Sequence, residues 1–314
     1  MRLATYSVAG SHPRIGAVVD GDRLVDLQSA HQARHGAEHP ALGDMLALID
    51  GGPDALAVAR ALVDDAPDGA VTALAGVDLL APLPEPRQIR DFLCFEEHLA
   101  NCYRTVESWG GPHQEIPPVW YQQPIYYKAN RFSVVGHGAP VRWPSYSQAM
   151  DYELEVAAVI GTRGVDIARD DALGHVFGFT IFNDVSARDT QGVEMAGTLG
   201  PAKSKDFDTG NVFGPWIVTP DEIGDLYDLT MVARVNGDEW SRGSTATMHH
   251  RFEDLIAFVS RSETLHPGEI LGSGTVGTGC GLEQGRFLQP GDVVELEVEG
   301  IGVLRNPIGT APTA

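Results

Sequence analysis

At 314 residues, with 43% hydrophobic side chains and no stretch near the roughly 18 consecutive apolar residues of a membrane span, the chain reads as globular, with one large or two ordinary domains. Twenty-two Lys and Arg against 43 Asp and Glu leave a net charge of −21, which argues against nucleic acid or an anionic membrane as partner. The three cysteines, Cys94, Cys102 and Cys280, form no CxxC pair and the N-terminus lacks an apolar signal core, so neither a disulfide framework, a thiolate zinc site nor export is expected, and a reducing cytoplasm fits.

Positions 1–80 are expected to form a small N-terminal α/β domain. Leu3–Ser7, Ile15–Val19 and Leu24–Leu27, the last two separated by the turn Asp20-Gly21-Asp22, read as short strands. Two Ala/Leu-rich helices follow, roughly Ala41–Ile49 and Pro53–Asp64, divided by Asp50-Gly51-Gly52-Pro53. Leu80–Pro86 holds three prolines in five residues, which oppose both helix and ladder, and marks the linker to a second domain over 81–314.

In that second domain the spacing predicts a helix over Phe95–Ser108. It carries His98, seven residues after Asp91 and near the same helical face; the imidazole is either a general base or a structural histidine. Strands are predicted at Ser133–Gly136, Glu153–Ile160, Gly178–Phe182, Trp216–Thr219, Leu229–Val235 and Val293–Val298, with a second helix over Phe252–Ser260. The pattern is α+β, mainly β, and the large domain is mainly antiparallel, which argues against a doubly wound nucleotide fold.

Asp151, Glu153 and Glu155 stand at every second position of an otherwise apolar run. In a strand they share a face, and like charges held that close on a partly buried surface repel unless a cation joins them. Asp184, where the apolar Thr180–Phe182 turns abruptly polar, can converge with them or can cap a helix starting at Val185. An all-carboxylate set favours Mg²⁺, Mn²⁺ or Ca²⁺ over zinc. Lys205, ahead of the apolar Phe213–Val218, is either the group that receives a negative substrate or a solvated loop lysine. Gly272-Ser273-Gly274-Thr275-Val276-Gly277 spells GxGxxG, but two more glycines follow where a dinucleotide fingerprint needs an apolar helix, so it reads as a loop. His249-His250 reads as surface.

Taken in order, Arg90-Asp91-Phe92-x5-His98, Asp151-Tyr152-Glu153-Leu154-Glu155, Asn183-Asp184-x-Ser186-Ala187-Arg188-Asp189-x-Gln191, Lys205-x-Phe207-Asp208-x5-Gly214-Pro215 and the glycine run resemble the fumarylacetoacetate hydrolase family from about residue 85 to 308. The resemblance implies a mixed β-sandwich roll, commonly a homodimer, that holds Mg²⁺ or a similar cation and acts on small 2-oxo acids. It implies that Glu153, Glu155 and Asp184 are metal ligands, joined by Asp91 as in the fumarylacetoacetase branch. It also implies that Glu283 supports His98, since Asn101 stands where many members place that Glu, and that Gln191, Lys205, Tyr127, Thr275 and Arg188 contact substrate. Leu93 and Met195 fall where fumarylacetoacetase has tyrosines, which leaves the substrate open, and Asp151, matching no ligand position, is expected at a solvated entrance.

The expected reaction is divalent-metal-dependent hydrolysis of a C–C bond in a 2,4-dioxo acid. His98 oriented by Glu283 would activate water, and Lys205 with Gln191 would stabilise the developing oxyanion. Decarboxylation, hydration or isomerisation of a 2-oxo acid through the same enolate is the alternative, and a non-catalytic metal-binding module is the rival of another class.

Overall fold

The computed structural model describes residues 1–310. Its backbone is a large mixed sheet packed against a smaller antiparallel one. The strand Leu154–Ile160 lies near the middle of the large sheet, antiparallel to Val176–Asp184 on one side and to Glu269–Gly272 on the other. Gln88–Phe92 runs parallel to Glu269–Gly272, and Tyr126–Lys128 closes that edge.

Alternation along Leu154–Ile160 divides the interior. Leu154, Val156, Ala158 and Ile160 enter one core together with Met231, Ala233, Leu296 and Leu304, which come from the four-stranded sheet of Asp238–Ser244, Thr230–Val235, Val293–Val298 and Gly302–Pro307. Ala157 and Val159 face the other way, into a core shared with Leu27, Leu48, Ala59 and Phe182. Both faces are therefore dry, which is why this strand reads as a continuous apolar run. The expected α+β sandwich is the architecture seen.

The N-terminal segment extends this sheet. Arg2–Ser7 pairs with Asn211–Val218, Leu3 opposite Ile217, and carries Arg14–Val19, Arg23–Asp26 and Val71–Ala73 outward in turn. Leu80–Pro86, the expected linker, has no regular structure, although the Leu80 N–H still bonds to the Thr5 carbonyl at 2.9 Å.

Some boundaries differ from the sequence expectations, for local reasons. The expected helix Ala41–Ile49 is a 3₁₀ turn Pro40–Leu42 followed by the helix Met45–Asp50, which restarts because the Asp44 carboxylate accepts the Ala47 N–H at 2.8 Å. An unexpected helix, Leu27–His35, follows the third strand directly; Asp26 caps it through the Ser29 N–H and Gly36, at φ 74°, ends it. The expected surface position of His250 is corrected: it is buried, with Nε2 at 2.6 Å from the Trp120 carbonyl oxygen.

Candidate functional site

Four strand ends bring the acidic residues together. Across the sheet the order is Val176–Asp184, Leu154–Ile160, Glu269–Gly272, Gln88–Phe92, with Ala157 opposite Gly272 and Gly272 opposite Asp91. Asp184 and Phe182 share a strand face, and Phe182 pairs with Glu155, so Asp184 and Glu155 rise on the same side as Asp91. Carboxylate oxygens of Asp91, Glu155 and Asp184 all lie within 4.8 Å of one another, and all three side chains are buried.

Gly272 makes this approach possible. A Cβ there would stand 2.3 Å from Asp91 Oδ1 and 3.0 Å from Glu155 Oε2. The chain then turns through Gly274, at φ 75°, whose N–H donates to Glu155 Oε2 at 3.0 Å, and Thr275 Oγ1 donates to Glu155 Oε1 at 3.4 Å. The glycine run is thus the loop that was expected, and it forms part of the floor of the carboxylate cluster. The stacked rings of Phe182 and Phe213, 4.3 Å apart, adjoin it.

Electrostatics separates these carboxylates. Burial, reinforced by Asp91, pushes the Glu155 carboxyl well above its usual range. Burial likewise raises Asp184, against Lys205, and raises Asp91. Oδ1 of Asp91 and Oδ1 of Asp184 are buried without a hydrogen-bond partner, although buried carboxylate oxygens ordinarily have one. Orphaned oxygens in an all-carboxylate cluster fit a hard divalent cation, for which zinc's preferred nitrogen and sulfur donors are not needed.

Glu153, expected as a ligand, stands beside this trio and faces cations of the protein. Its Oε1 lies 2.7 Å from Arg188 Nη1 and its Oε2 lies 2.6 Å from Lys205 Nζ. Burial opposes its ionisation, but the two cations outweigh that and hold it below the usual carboxylate range. Lys205 is buried rather than solvated: its ammonium also bonds to Asp184 Oδ2 and to Ser186 Oγ, the latter at 2.9 Å. Tyr127 donates to Asp184 Oδ2 at 2.7 Å. Asp184 is the last residue of its strand, and the next helix, Arg188–Ala196, starts four residues later with Ala187 at its N-cap, so the capping reading does not apply.

His98 sits in the first turns of the helix Glu96–Ser108. Its Nδ1 is 2.8 Å from Glu283 Oε1, while Asn101 Nδ2 and the Thr278 N–H hold Glu283 Oε2 at 2.8 and 2.6 Å. Asn101 therefore braces the carboxylate that the sequence placed elsewhere. Burial pulls the imidazole down, but Glu283 together with Cys280 outweighs it and holds His98 well above its ordinary range.

A cavity of about 270 Å³ joins these groups. Asp91, His98, Tyr127, Glu153, Glu155, Gln191, Lys205 and Thr275 line it, with Leu93 and Met195 adding apolar wall. Asp184 and Glu283 stand behind the lining, each reached through a partner that lines it. Arg188 borders the cavity, but its guanidinium is committed to Asp151 at 2.8 Å, Glu153 and Gln191 Oε1 at 2.9 Å.

Asp151 is corrected. It is fully buried rather than at a solvated entrance: besides Arg188 it accepts the N–H groups of Gly281 and Leu282 at 2.7 and 2.9 Å. Sequence spacing could not show this, because its partners come from distant parts of the chain. Ser186, Cys102 and Cys280 also adjoin the site; sequence spacing marks none of them as functional, and only the neighbouring motif around Asn183-Asp184 points to Ser186.

Comparison with known proteins places this geometry among relatives. Residues 87–309 match the family described as fumarylacetoacetate (FAA) hydrolase, C-terminal. The chain is similar to the mitochondrial oxaloacetate tautomerase fahd2 of Xenopus laevis, 34% identical over 98% of this chain and 90% of that one. It is also similar to the oxaloacetate tautomerase YisK of Bacillus subtilis strain 168, 32% identical over 94% and 96%. Among solved structures, a fumarylacetoacetate hydrolase from the psychrophile Exiguobacterium antarcticum superposes with a TM-score of 0.75 at 28% identity, covering 99% of this chain and all of that one.

Proposed function

Since the chain belongs to the fumarylacetoacetate hydrolase family, we propose that it is an enzyme that moves a proton at the carbon beside the 2-oxo group of a small 2-oxo diacid, interconverting the keto and enol forms of oxaloacetate. The observation that carries this reading is the buried His98–Glu283 pair opening on the same cavity as the Asp91, Glu155 and Asp184 carboxylates. Likeness over nearly the whole chain to two oxaloacetate tautomerases supports the substrate.

Asp91, Glu155 and Asp184 are the residues that would hold a divalent cation such as Mg²⁺ or Mn²⁺, with Glu153 next to them. When bound, the cation supplies Lewis acidity toward the carboxylate and 2-oxo oxygens of the substrate. In the keto-to-enol direction the chain's own groups act as follows. In the fraction of molecules whose His98 ring is unprotonated, that ring takes the proton from carbon 3, and the facing Glu283 carboxylate stabilises the imidazolium that results. Negative charge develops on the 2-oxo oxygen, where the Lys205 ammonium and the Gln191 amide can donate. Solvent protonates that oxygen to complete the enol while His98 returns its proton to solvent, and the reverse steps return carbon 3 its proton. Burial disfavours the Lys205 ammonium, but the Asp184 and Glu153 carboxylates beside it outweigh that, push its titration up and keep it charged throughout.

C–C hydrolysis of a 2,4-dioxo acid, the reaction expected from the sequence, is the second reading. The same His98–Glu283 pair can activate water, and the Exiguobacterium neighbour is a hydrolase by name. The two differ in product. With Mg²⁺ or Mn²⁺ present, decay of the enol absorbance of oxaloacetate should be accelerated at least 100-fold by the wild-type protein and returned close to the buffer rate by His98→Ala. No acceleration with oxaloacetate, together with pyruvate release from an acylpyruvate, would replace tautomerisation by hydrolysis. The homodimer belongs to the same proposal; exposed Val193 and Leu199 offer apolar surface, and sedimentation velocity tests it.

A further inference from the structure

Beside the carboxylate cluster, the wall of the cavity holds a second and chemically different set of ligand atoms. His98 and Cys102 stand four residues apart in the helix Glu96–Ser108 and so share a face. Cys280 arrives from the loop whose backbone bridges to Glu153. One ring nitrogen of His98 and the Sγ atoms of Cys102 and Cys280 all lie within 4.8 Å of one another. Cys102 Sγ and Cys280 Sγ are each 3.9 Å from His98 Nδ1, and Cys280 Sγ is 3.5 Å from Glu283 Oε1. Donors at the usual zinc distances of about 2.0–2.3 Å, set at tetrahedral angles, stand roughly 3.3–3.8 Å apart. The Cys102–His98, Cys280–His98 and Cys280–Glu283 separations are already close to that spacing. The sequence hides this group, because Cys280 and Cys102 lie in distant parts of the chain and neither belongs to a CxxC pair.

We propose that Cys102, Cys280 and His98, with Glu283 as the fourth donor, form a second metal site that takes a thiophilic divalent cation such as Zn²⁺. Two thiols give up their protons to solvent, and the cation replaces the proton held between His98 Nδ1 and Glu283. The soft sulfur and nitrogen donors select against Mg²⁺, while the all-oxygen cluster nearby suits it, so the two sites sort cations by donor chemistry. Access is through the cavity, which His98 and Cys102 both line, with Cys280 behind them. A cation held there removes the His98 lone pair and its Glu283 partner from proton transfer. That inhibitory consequence rests on the role proposed for His98; the existence of the site does not.

The test titrates the reduced full-length protein, saturated with Mg²⁺ and free of substrate, with Cd²⁺ while recording the ultraviolet thiolate-to-cadmium charge-transfer band. One equivalent per chain should saturate the band. Cys102→Ser, at a half-buried position that burdens the fold least, should lose at least half the amplitude and bind at least 10-fold more weakly, with its circular dichroism unchanged. No stoichiometric band, or a full band in Cys102→Ser, would overturn the site. In a separate assay, one equivalent of Zn²⁺ should abolish turnover of the Mg²⁺-saturated wild type, and Cys102→Ser should need at least 10-fold more. Undiminished turnover in protein that shows the band would overturn the inhibition alone.

Discussion

Gly272 is constrained by what lies above it rather than by its own backbone. The strand around it is regular, but a methyl group would stand 2.3 Å from Asp91 Oδ1, closer than any non-bonded carbon and oxygen can come. Gly272→Ala should therefore push Asp91 and Glu155 apart, cost about 1–3 kcal/mol as overpacking, and weaken divalent-cation binding at least 10-fold. Isothermal titration with Mn²⁺ on a variant with native circular dichroism reads this, and unchanged affinity would refute the placement of the cation. Glu283 permits a pH experiment. It raises the His98 pKa in the folded protein above that of the unfolded chain, so the pair contributes stability that is fully present below the unfolded value of about 6.5 and is lost as pH rises through the folded one. Glu283→Gln removes the charge and keeps most of the shape. In metal-free protein the melting-temperature gap between wild type and Glu283→Gln should be widest near pH 5.5 and should narrow toward pH 9; a gap that widens with pH would contradict the assignment.

The Asp-x-Glu-x-Glu segment shows what an element can reveal and what it conceals. Alternation marked Glu153 and Glu155 as neighbours on one face, and the apolar remainder of the strand pointed to a dry setting; the structure has both. The regular strand, however, begins only at Leu154. Met150–Asp151 pairs instead with Ser186–Ala187, and Glu153 is held by an isolated bridge to Cys280. Asp151 joins three pieces of chain through Arg188 and the N–H groups of Gly281 and Leu282. Removing Asp151 leaves the Gly281 and Leu282 N–H groups buried without an acceptor and Arg188 with one carboxylate, Glu153, in place of two, so Asp151→Ala should destabilise the fold by about 3–5 kcal/mol, measured by urea unfolding. A cost below about 1 kcal/mol would mean that the two N–H groups find water and that Glu153 alone suffices for Arg188. What was legible in the sequence was local: strand periodicity, the polar break at Asp184, the helix bearing His98. The pairings of Asp151 with Gly281, Glu283 with His98 and Gly272 with Asp91 join distant parts of the chain, and single-chain spacing carries no record of them. The missed helix Leu27–His35 differs in kind: its Asp26 cap and Gly36 stop were readable, but the preceding strand ends at Asp26 itself, and the apolar Leu24–Leu27 outweighed the cap.

At the scale of the whole molecule, the large sheet ties the N-terminal segment to the site. Arg2–Ser7 pairs with Asn211–Val218, and the N-terminal Met1 ammonium reaches Thr219 Oγ1 at 2.5 Å and Glu222 Oε1 at 2.7 Å. The core beneath the helices Met45–Asp50 and Gly52–Asp64 contains Ala157, Val159 and Ile270, from the same strands that carry Glu155 and Gly272. Deleting residues 1–80 would uncover that apolar face and leave Asn211–Val218 with unpaired backbone groups along one side, a surface prone to association. We expect the 81–314 fragment to lose cooperative unfolding and to aggregate, and to recover neither when Mg²⁺ is added. A soluble fragment with a sharp calorimetric transition and intact Mn²⁺ binding would instead show that the carboxylate cluster is organised by the sandwich alone. The geometry favours the first outcome, because Glu155 and Val159 lie on one face of one strand, and the N-terminal helices cover the end of that face away from the carboxylates.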